Sequence, residues 1–131
     1  MYLDANFFVF ANFDTGSNGC EARRIIQEIT KEKHAITSSL ALDELMGVII
    51  KNKQHQKLRQ VIEEIYSIKN LEVKEVPSFI PLRALNFIEK HQLKPRDAFH
   101  VALMEHFGEK EIVSDDADFD KVHNIKRIKI G

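Results

Sequence analysis

Two adjoining stretches decide how this chain folds: Pro95-Arg-Asp97-Ala-Phe-His100-Val-Ala-Leu-Met104-Glu-His-Phe107-Gly108, and then Glu111-Ile-Val-Ser114-Asp-Asp116-Ala-Asp118-Phe119-Asp120. Proline suits the first position of a helix, where its missing N–H has no partner to lose. Glycine suits the position just past the end. The first stretch therefore predicts a helix from Pro95 to Phe107. Ala98 to Met104 is apolar almost all round apart from His100, so that helix is buried. The second stretch predicts a short strand, Glu111 to Ser114, and then a turn or short helix over Asp116 to Val122.

The same alternation extends back to the start of the chain. Met1 to Asp4 is a short apolar run ending in an acid and reads as a strand. Phe7 to Ala11 reads as a short apolar helix, and Asn12 to Gly19, dense in turn formers, as a loop. Ala22, Ile25, Ile26 and Ile29 recur at helical spacing, with Glu21 early and Lys31 and Lys33 late, as the helix dipole prefers. Ala35 to Thr37 is a second strand, and Ser38 or Ser39 caps a helix running to about Ile50. Leu58, Val61, Ile62 and Ile65 share one face of the next helix. Leu71 to Val76 is a strand that Pro77 stops. Pro81 to His91 is a helix carrying Ala84, Leu85 and Ile88, and Ile125 to Ile130 is the last strand. Strand and helix alternating throughout predict an α/β fold with a parallel sheet covered on both faces. In such sheets ligands bind beyond the carboxyl ends of the strands.

The 131 residues predict a single domain spanning 1–131, large enough to bury a core without disulfides. Apolar residues at 44% and charged residues at 30% exclude a disordered chain. The longest apolar run, Phe7 to Ala11, is too short to span a bilayer. No basic segment followed by an apolar one opens the sequence, so no signal peptide is expected. A single cysteine, Cys20, excludes an intramolecular disulfide and fits a cytoplasmic location. Net charge is −1, so no global positive field is present to hold nucleic acid. A polyanion would have to be met by a local patch or a metal.

Acids recur at the strand ends and helix starts. Asp4 closes the first strand; its ordinary reading is a cap for the following helix, with Asn6 helping. Glu44 is set in an apolar stripe with Leu40, Ala41 and Val48, and its own helix offers no cation before Lys51. Asp43 points elsewhere and reads as surface. Asp97 lies in the first turn of its helix, where an acid suits the dipole. Asp115, Asp116, Asp118 and Asp120 crowd the end of the strand Ile112-Val-Ser114. Carboxylates sharing one small space raise each other's pKa and titrate as a group. A hard divalent ion relieves that repulsion; Mg²⁺ and Mn²⁺ prefer oxygen ligands. The histidines lack His-Glu-x-x-His spacing, and no phosphate-binding Gly-rich loop or Gly-x-Ser-x-Gly is present.

Leu3-Asp4-Ala-Asn6, Ser38-Ser-Leu-Ala-Leu-Asp-Glu44-Leu, Pro95-Arg-Asp97-Ala-Phe-His-Val-Ala102 and Ile112-Val-Ser-Asp-Asp116-Ala-Asp118-Phe119 together resemble the PIN domain family, most of all the VapC-like proteins and their stand-alone archaeal relatives. The resemblance runs over essentially the whole chain, in order. It implies a three-layer α/β/α fold with a five-stranded parallel sheet and metal-dependent cleavage of RNA. Carried over, the four family acids fall on Asp4, Glu44, Asp97 and Asp116, with Asp118 matching a more variable fifth and Ser114 a small hydroxylated position. Asp115 departs from the pattern, because similar sequences are usually uncharged there; the Asp-x-Asp-Phe register selects Asp116.

The expected activity is hydrolysis of RNA phosphodiesters with Mg²⁺ or Mn²⁺, held by Asp4, Asp97, Asp116, Glu44 and Asp118. Asn6, Arg96 and Ser114 are candidate substrate contacts. The basic run Lys51 to Arg59 has four cations and no acid; it reads equally as a guide for a nucleic acid backbone and as a solvated helix face. The Phe7-Phe-Val-Phe-Ala11 run reads as either core or an exposed partner surface. Similar proteins form homodimers, and the toxin members bind a small antitoxin. The expected identity is the toxin of a toxin–antitoxin pair. The alternatives are an RNA-processing nuclease without an antitoxin and a catalytically weak binding module. A phosphorelay receiver ranks low, because the third strand ends in Val76-Pro77. A haloacid-dehalogenase-like phosphatase also ranks low, because Asn6 occupies its second acid's place.

Overall fold

A computed structural model describes residues 1–131. Five strands form one parallel sheet: β1 (Tyr2–Leu3), β2 (Ala35–Ser38), β3 (Leu71–Lys74), β4 (Glu111–Val113) and β5 (Lys126–Ile128), in the order β3-β2-β1-β4-β5. Six helices cover it: α1 (Ala5–Phe13), α2 (Ser17–Lys31), α3 (Ser39–Lys51), α4 (Leu58–Ser67), α5 (Ile80–His91) and α6 (Pro95–Phe107). Short 3-10 turns precede α4 (His55–Lys57) and follow β4 (Ala117–Lys121).

Successive strand residues point to opposite faces, and here they enter two separate cores. Leu3, Ala35 and Val113 pack with Phe7, Ala22, Ile29, Leu45 and Ile65 under α1 to α4. Tyr2, Ile36 and Ile112 pack with Ile80, Ala84, Val101 and Met104 under α5 and α6. The result is a helix–sheet–helix sandwich, as expected of the α/β/α class. The register aligns Tyr2 with both Ile36 and Ile112, so β1 is the spine of the sheet. The chain runs outward from β1 to β3 on one side and then crosses to β4 and β5 on the other. That reversal opens a crevice at the carboxyl ends of β1 and β4.

Three sequence expectations change. The Phe7–Ala11 segment offers little exposed surface: Phe7 and Phe8 are fully buried, and Val9, Phe10 and Ala11 are half-buried against the same core. A helix leaving the central strand is flanked by sheet and neighbouring helices, so it seals more than one face. The expected loop Asn12–Gly19 ends early, because α2 begins at Ser17. Gly19 serves close approach inside that helix: a Cβ there would lie 2.0 Å from the Asp14 carbonyl oxygen, and its N–H donates to Asp14 Oδ2 at 2.6 Å. On α5, Ala84 is buried and Ile88 half-buried, but Leu85 is exposed, as are Leu82 and Phe79. The last turn of α6 closes as expected, with Gly108 at φ +75°. No helix is long and apolar enough to cross a membrane.

Candidate active site

The crevice collects side chains from four segments that are distant in sequence. Asp4 follows β1 and caps α1, its Oδ1 accepting from the Phe7 N–H at 3.3 Å. Capping does not exhaust its role, because the carboxyl is buried at the centre of the sheet edge. Burial pushes its pKa up to about 6; the Ser114 hydroxyl and His100 oppose the rise, and Glu44 adds to it.

Glu44 sits in the second turn of α3, whose cap is Ser38, its Oγ accepting from the Ala41 N–H at 3.2 Å. Glu44 is partnered, but from α6: His100 Nε2 makes a short hydrogen bond to its Oε1, and Arg96 Nε lies 4.0 Å from the same oxygen. Asp43 is exposed.

Asp97, in the first turn of α6, is half-buried. Asp116 caps the 3-10 turn after β4, its Oδ1 accepting from the Asp118 N–H at 2.9 Å, while its own N–H donates to Ser114 Oγ at 3.0 Å. One carboxylate oxygen from each of Asp97, Asp116 and Asp118 lies within 4.8 Å of the others. Burial raises the Asp97 pKa, and the Asp116 carboxylate raises it further. Asp118 meets one cation, Lys121 Nζ at 3.5 Å.

The crowded acids after β4 thus divide. Asp115 Oδ1 accepts from the Ile130 N–H at 2.9 Å, tying it to the chain end beyond β5. Asp120 pairs with Arg127 through two contacts at 2.9 and 3.0 Å. Asp116 and Asp118 turn instead toward Asp97. Of the candidate substrate contacts, Ser114 is buried beneath Asp116, whereas Asn6 and Arg96 are exposed. A shallow recess of about 440 Å³ beside Arg96 is lined by Leu40, Lys94, Pro95 and Phe99.

Sequence reasoning missed a line of buried polar groups behind Glu44. The Tyr2 hydroxyl lies 2.7 Å from Ser38 Oγ and 2.6 Å from His100 Nδ1, and all three residues are buried. The signal was His100 itself, the lone polar break in the apolar run Ala98–Met104, three residues after Asp97. The basic run is exposed and lies elsewhere: Lys51 ends α3, and Lys57 sits 5.7 Å above the ring of Phe13, the last residue of α1. The acids belong to the opposite, amino-terminal ends of those helices. At 1.5 Å per residue the length of α3 is about 20 Å.

A model of the family described as PIN domain matches residues 1–125. This chain belongs to the PIN domain family. Among solved structures, this PIN domain is similar to VapC20 of Mycobacterium tuberculosis, described as a Sarcin-Ricin loop cleaving toxin. Identity is 18%, coverage is 93% of this chain and 94% of that one, and the TM-score is 0.77. It is also similar to the VapBC2 structure of Rickettsia felis bound to a promoter DNA fragment, at 15% identity, 98% and 96% coverage and TM-score 0.75. A DNA-bound VapBC of Salmonella typhimurium matches at 18% identity, 99% and 97% coverage and TM-score 0.72. No curated protein matches the chain by sequence. At these identities the solved structures establish the fold the PIN domain shares with them.

The PIN domain's cluster fits a hard cation. Its donors are carboxylate oxygens, with no thiol among them, and three come within reach of one ion. Asp4 and Glu44 lie close enough for their charges to act on Asp97 or on each other.

Proposed function

We propose that this PIN domain is a divalent-metal-dependent endoribonuclease, and that it acts as the toxin of a toxin–antitoxin pair. The observation that carries the nuclease reading is the Asp97–Asp116–Asp118 cluster at the crevice, with Asp4 and Glu44 adjoining it. The toxin reading is supported by likeness to VapC and VapBC structures over nearly the whole chain.

Asp97, Asp116 and Asp118 would hold Mg²⁺ or Mn²⁺, with Asp4 and Glu44 completing the set. When bound, the ion supplies Lewis acidity toward the phosphodiester and its attacking water. Asp4 is oriented by the Phe7 N–H, from which its Oδ1 accepts, and by its burial. Glu44 accepts a proton from, or orients, the water. Water oxygen bonds to phosphorus as a ribose oxygen leaves, so no covalent enzyme intermediate forms and the 2′-hydroxyl is not the nucleophile. Arg96, exposed at the rim, meets a substrate phosphate, and the recess beside it receives the flanking nucleotide.

Partners would need the remaining apolar surface. Leu82, Leu85 and Phe79 are exposed around α5, and Met46 and Ile50 on α3. These two faces suit a second copy and an antitoxin. The deciding experiment incubates structured RNA with the protein and Mn²⁺ or Mg²⁺. Cleavage that chelation stops and Asp97→Asn abolishes is expected; full activity in Asp97→Asn removes the assignment.

A further inference from the structure

Behind the acid cluster, four polar side chains from four elements form one line across the α6 face of the sheet. Ser38 ends β2 and caps α3, Tyr2 belongs to β1, His100 to α6 and Glu44 to α3. Ser38, Tyr2 and His100 are each 2% exposed or less. A buried polar string of this kind gives little net stability over an apolar core of equal volume. It does fix geometry, because every member has one arrangement that satisfies all the others.

The proton directions follow from the partners. An ionised carboxylate has no hydrogen to give, so the proton in the His100–Glu44 contact sits on Nε2 and is donated to Oε1. On the other side of the ring, Nδ1 lies 2.6 Å from the Tyr2 hydroxyl, so the same contact forms whether Nδ1 accepts from Tyr2 or, with a second ring proton, donates to it. The Tyr2 hydroxyl also shares a hydrogen bond with the Ser38 hydroxyl at 2.7 Å, and Ser38 Oγ accepts from the Ala41 N–H. No buried side-chain donor or acceptor is left without a partner. Both cationic or donor neighbours of Glu44, His100 Nε2 and Arg96 Nε, approach Oε1. No protein group bonds to Oε2.

We infer that His100, oriented by Tyr2 and Ser38, is a positioning residue for Glu44, holding Oε1 so that Oε2 is the oxygen presented to the reaction. Glu44 needs such a device. It is a long side chain on a helix surface, 19% exposed, and without a tether its carboxylate would sample rotamers that miss the crevice. The contact joins residues 56 apart in sequence, so it also locks α6, which carries Asp97, to α3.

The inference rests on the nuclease reading, and its test separates the two. His100→Leu removes the donor at similar volume, His100→Gln keeps a donor near the Nε2 position, and Tyr2→Phe removes the link to Ser38. His100→Leu is expected to lower kcat for RNA cleavage by about 10- to 100-fold, the usual cost of losing an outer-shell partner. KM should stay unchanged and His100→Gln should recover most of the loss. In a Glu44→Gln background His100→Leu should cost nothing further, since the two act through one oxygen. Losses that add in the double variant, or a His100→Leu enzyme with wild-type kcat, overturn the inference. Nitrogen NMR of ¹⁵N-histidine in the metal-free protein gives a readout independent of turnover, and its wild-type arm needs no variant to fold. A proton on Nε2 of His100 whose shift changes in Glu44→Gln supports the inference; a proton on Nδ1 alone overturns it. Should the wild type cleave no RNA while Asp97→Asn is equally silent, the nuclease reading fails, and the NMR result decides the orientation of Glu44 by itself.

Discussion

The carboxyl edge of the sheet and the outer surface of α2 both carry dense charge, yet they handle it in opposite ways. On α2, Arg24 bridges Glu21 and Glu28, and Lys33 reaches Glu28 at 3.4 Å, so each acid has a cation of its own. Those acids are held below the usual carboxylate range by their arginine partner. At the sheet edge, Glu44 bonds His100 and lies 4.0 Å from Arg96, Asp118 meets Lys121, and Asp4, Asp97 and Asp116 share the crevice with no ion pair. There the shifts of Asp4 and Asp97 run upward, because burial and neighbouring acids disfavour charge. The near-zero net charge of the whole chain conceals this division. An ion pair satisfies itself, whereas an unpaired cluster creates demand for a counter-ion.

The sharpest way to break this contrast is to neutralise one acid of each kind. Asp97→Asn or Asp116→Asn should lower RNA cleavage by at least about 100-fold, judged against the effect of losing an outer-shell partner. Asp115→Asn, whose parent bonds the Ile130 N–H, should keep nearly all activity. Equal losses at 115 and 116 would erase the division of the acidic loop. Next in size is the response to metal. Free Mn²⁺ at a hundred times its dissociation constant should stabilise the fold by about 2.7 kcal/mol. Differential scanning calorimetry should show that shift in the wild type and Asp115→Asn and lose it in Asp116→Asn.

Proton linkage sharpens the comparison further. The Asp4 pKa is about 6 folded against 3.8 as its ordinary value. A raised carboxyl contributes stability that is full below the unfolded pKa and lost as pH rises through the folded one. With chelator at pH 7, Asp4→Asn should therefore melt above the wild type, by up to on the order of 2–3 kcal/mol. The gap should close between pH 6 and pH 4, as the wild-type carboxyl protonates. A constant gap from pH 7 to pH 4 would remove Asp4 as its source. A smaller effect is expected for Arg96→Ala: binding of single-stranded RNA to an inactive variant should lose about 0.7 from its salt slope. At the bottom of the scale, Arg24→Ala should leave the melting temperature and activity unchanged, since its pairs are exposed and screened.

Local patterns in the sequence were enough for the elements and for the acids at strand ends. Pro95 and Gly108 bracket α6 because backbone chemistry at helix ends is local. The apolar stripe around Glu44 marked it as unlike a surface acid for the same reason. What local pattern could not supply was pairing across the fold. Glu44 takes its partner from a helix 56 residues later, and Tyr2 reaches His100 only because β1 faces α6 at that register. The choice between Asp115 and Asp116 turns on a backbone N–H at Ile130, which no motif near Asp115 encodes. The Phe7 run was ambiguous because hydrophobicity says that a segment will be covered without saying by what. Leu85 shows the converse: it is an apolar residue beside Ala84 on the expected helix, and α5 leaves it in solvent.

The order of the strands has a temporal consequence. β1 is made well before its β4 neighbour, which is aligned at Tyr2 and Ile112 and emerges from the ribosome 110 residues later. Protein synthesis runs at about 5–20 residues per second. Asp97, Asp116 and Asp118 all belong to the last third of the chain, so a growing polypeptide carries two of its five acids through most of translation and cannot gather the others. The acid cluster is therefore assembled late, since no stretch of the chain shorter than residues 4–118 holds all five carboxylates.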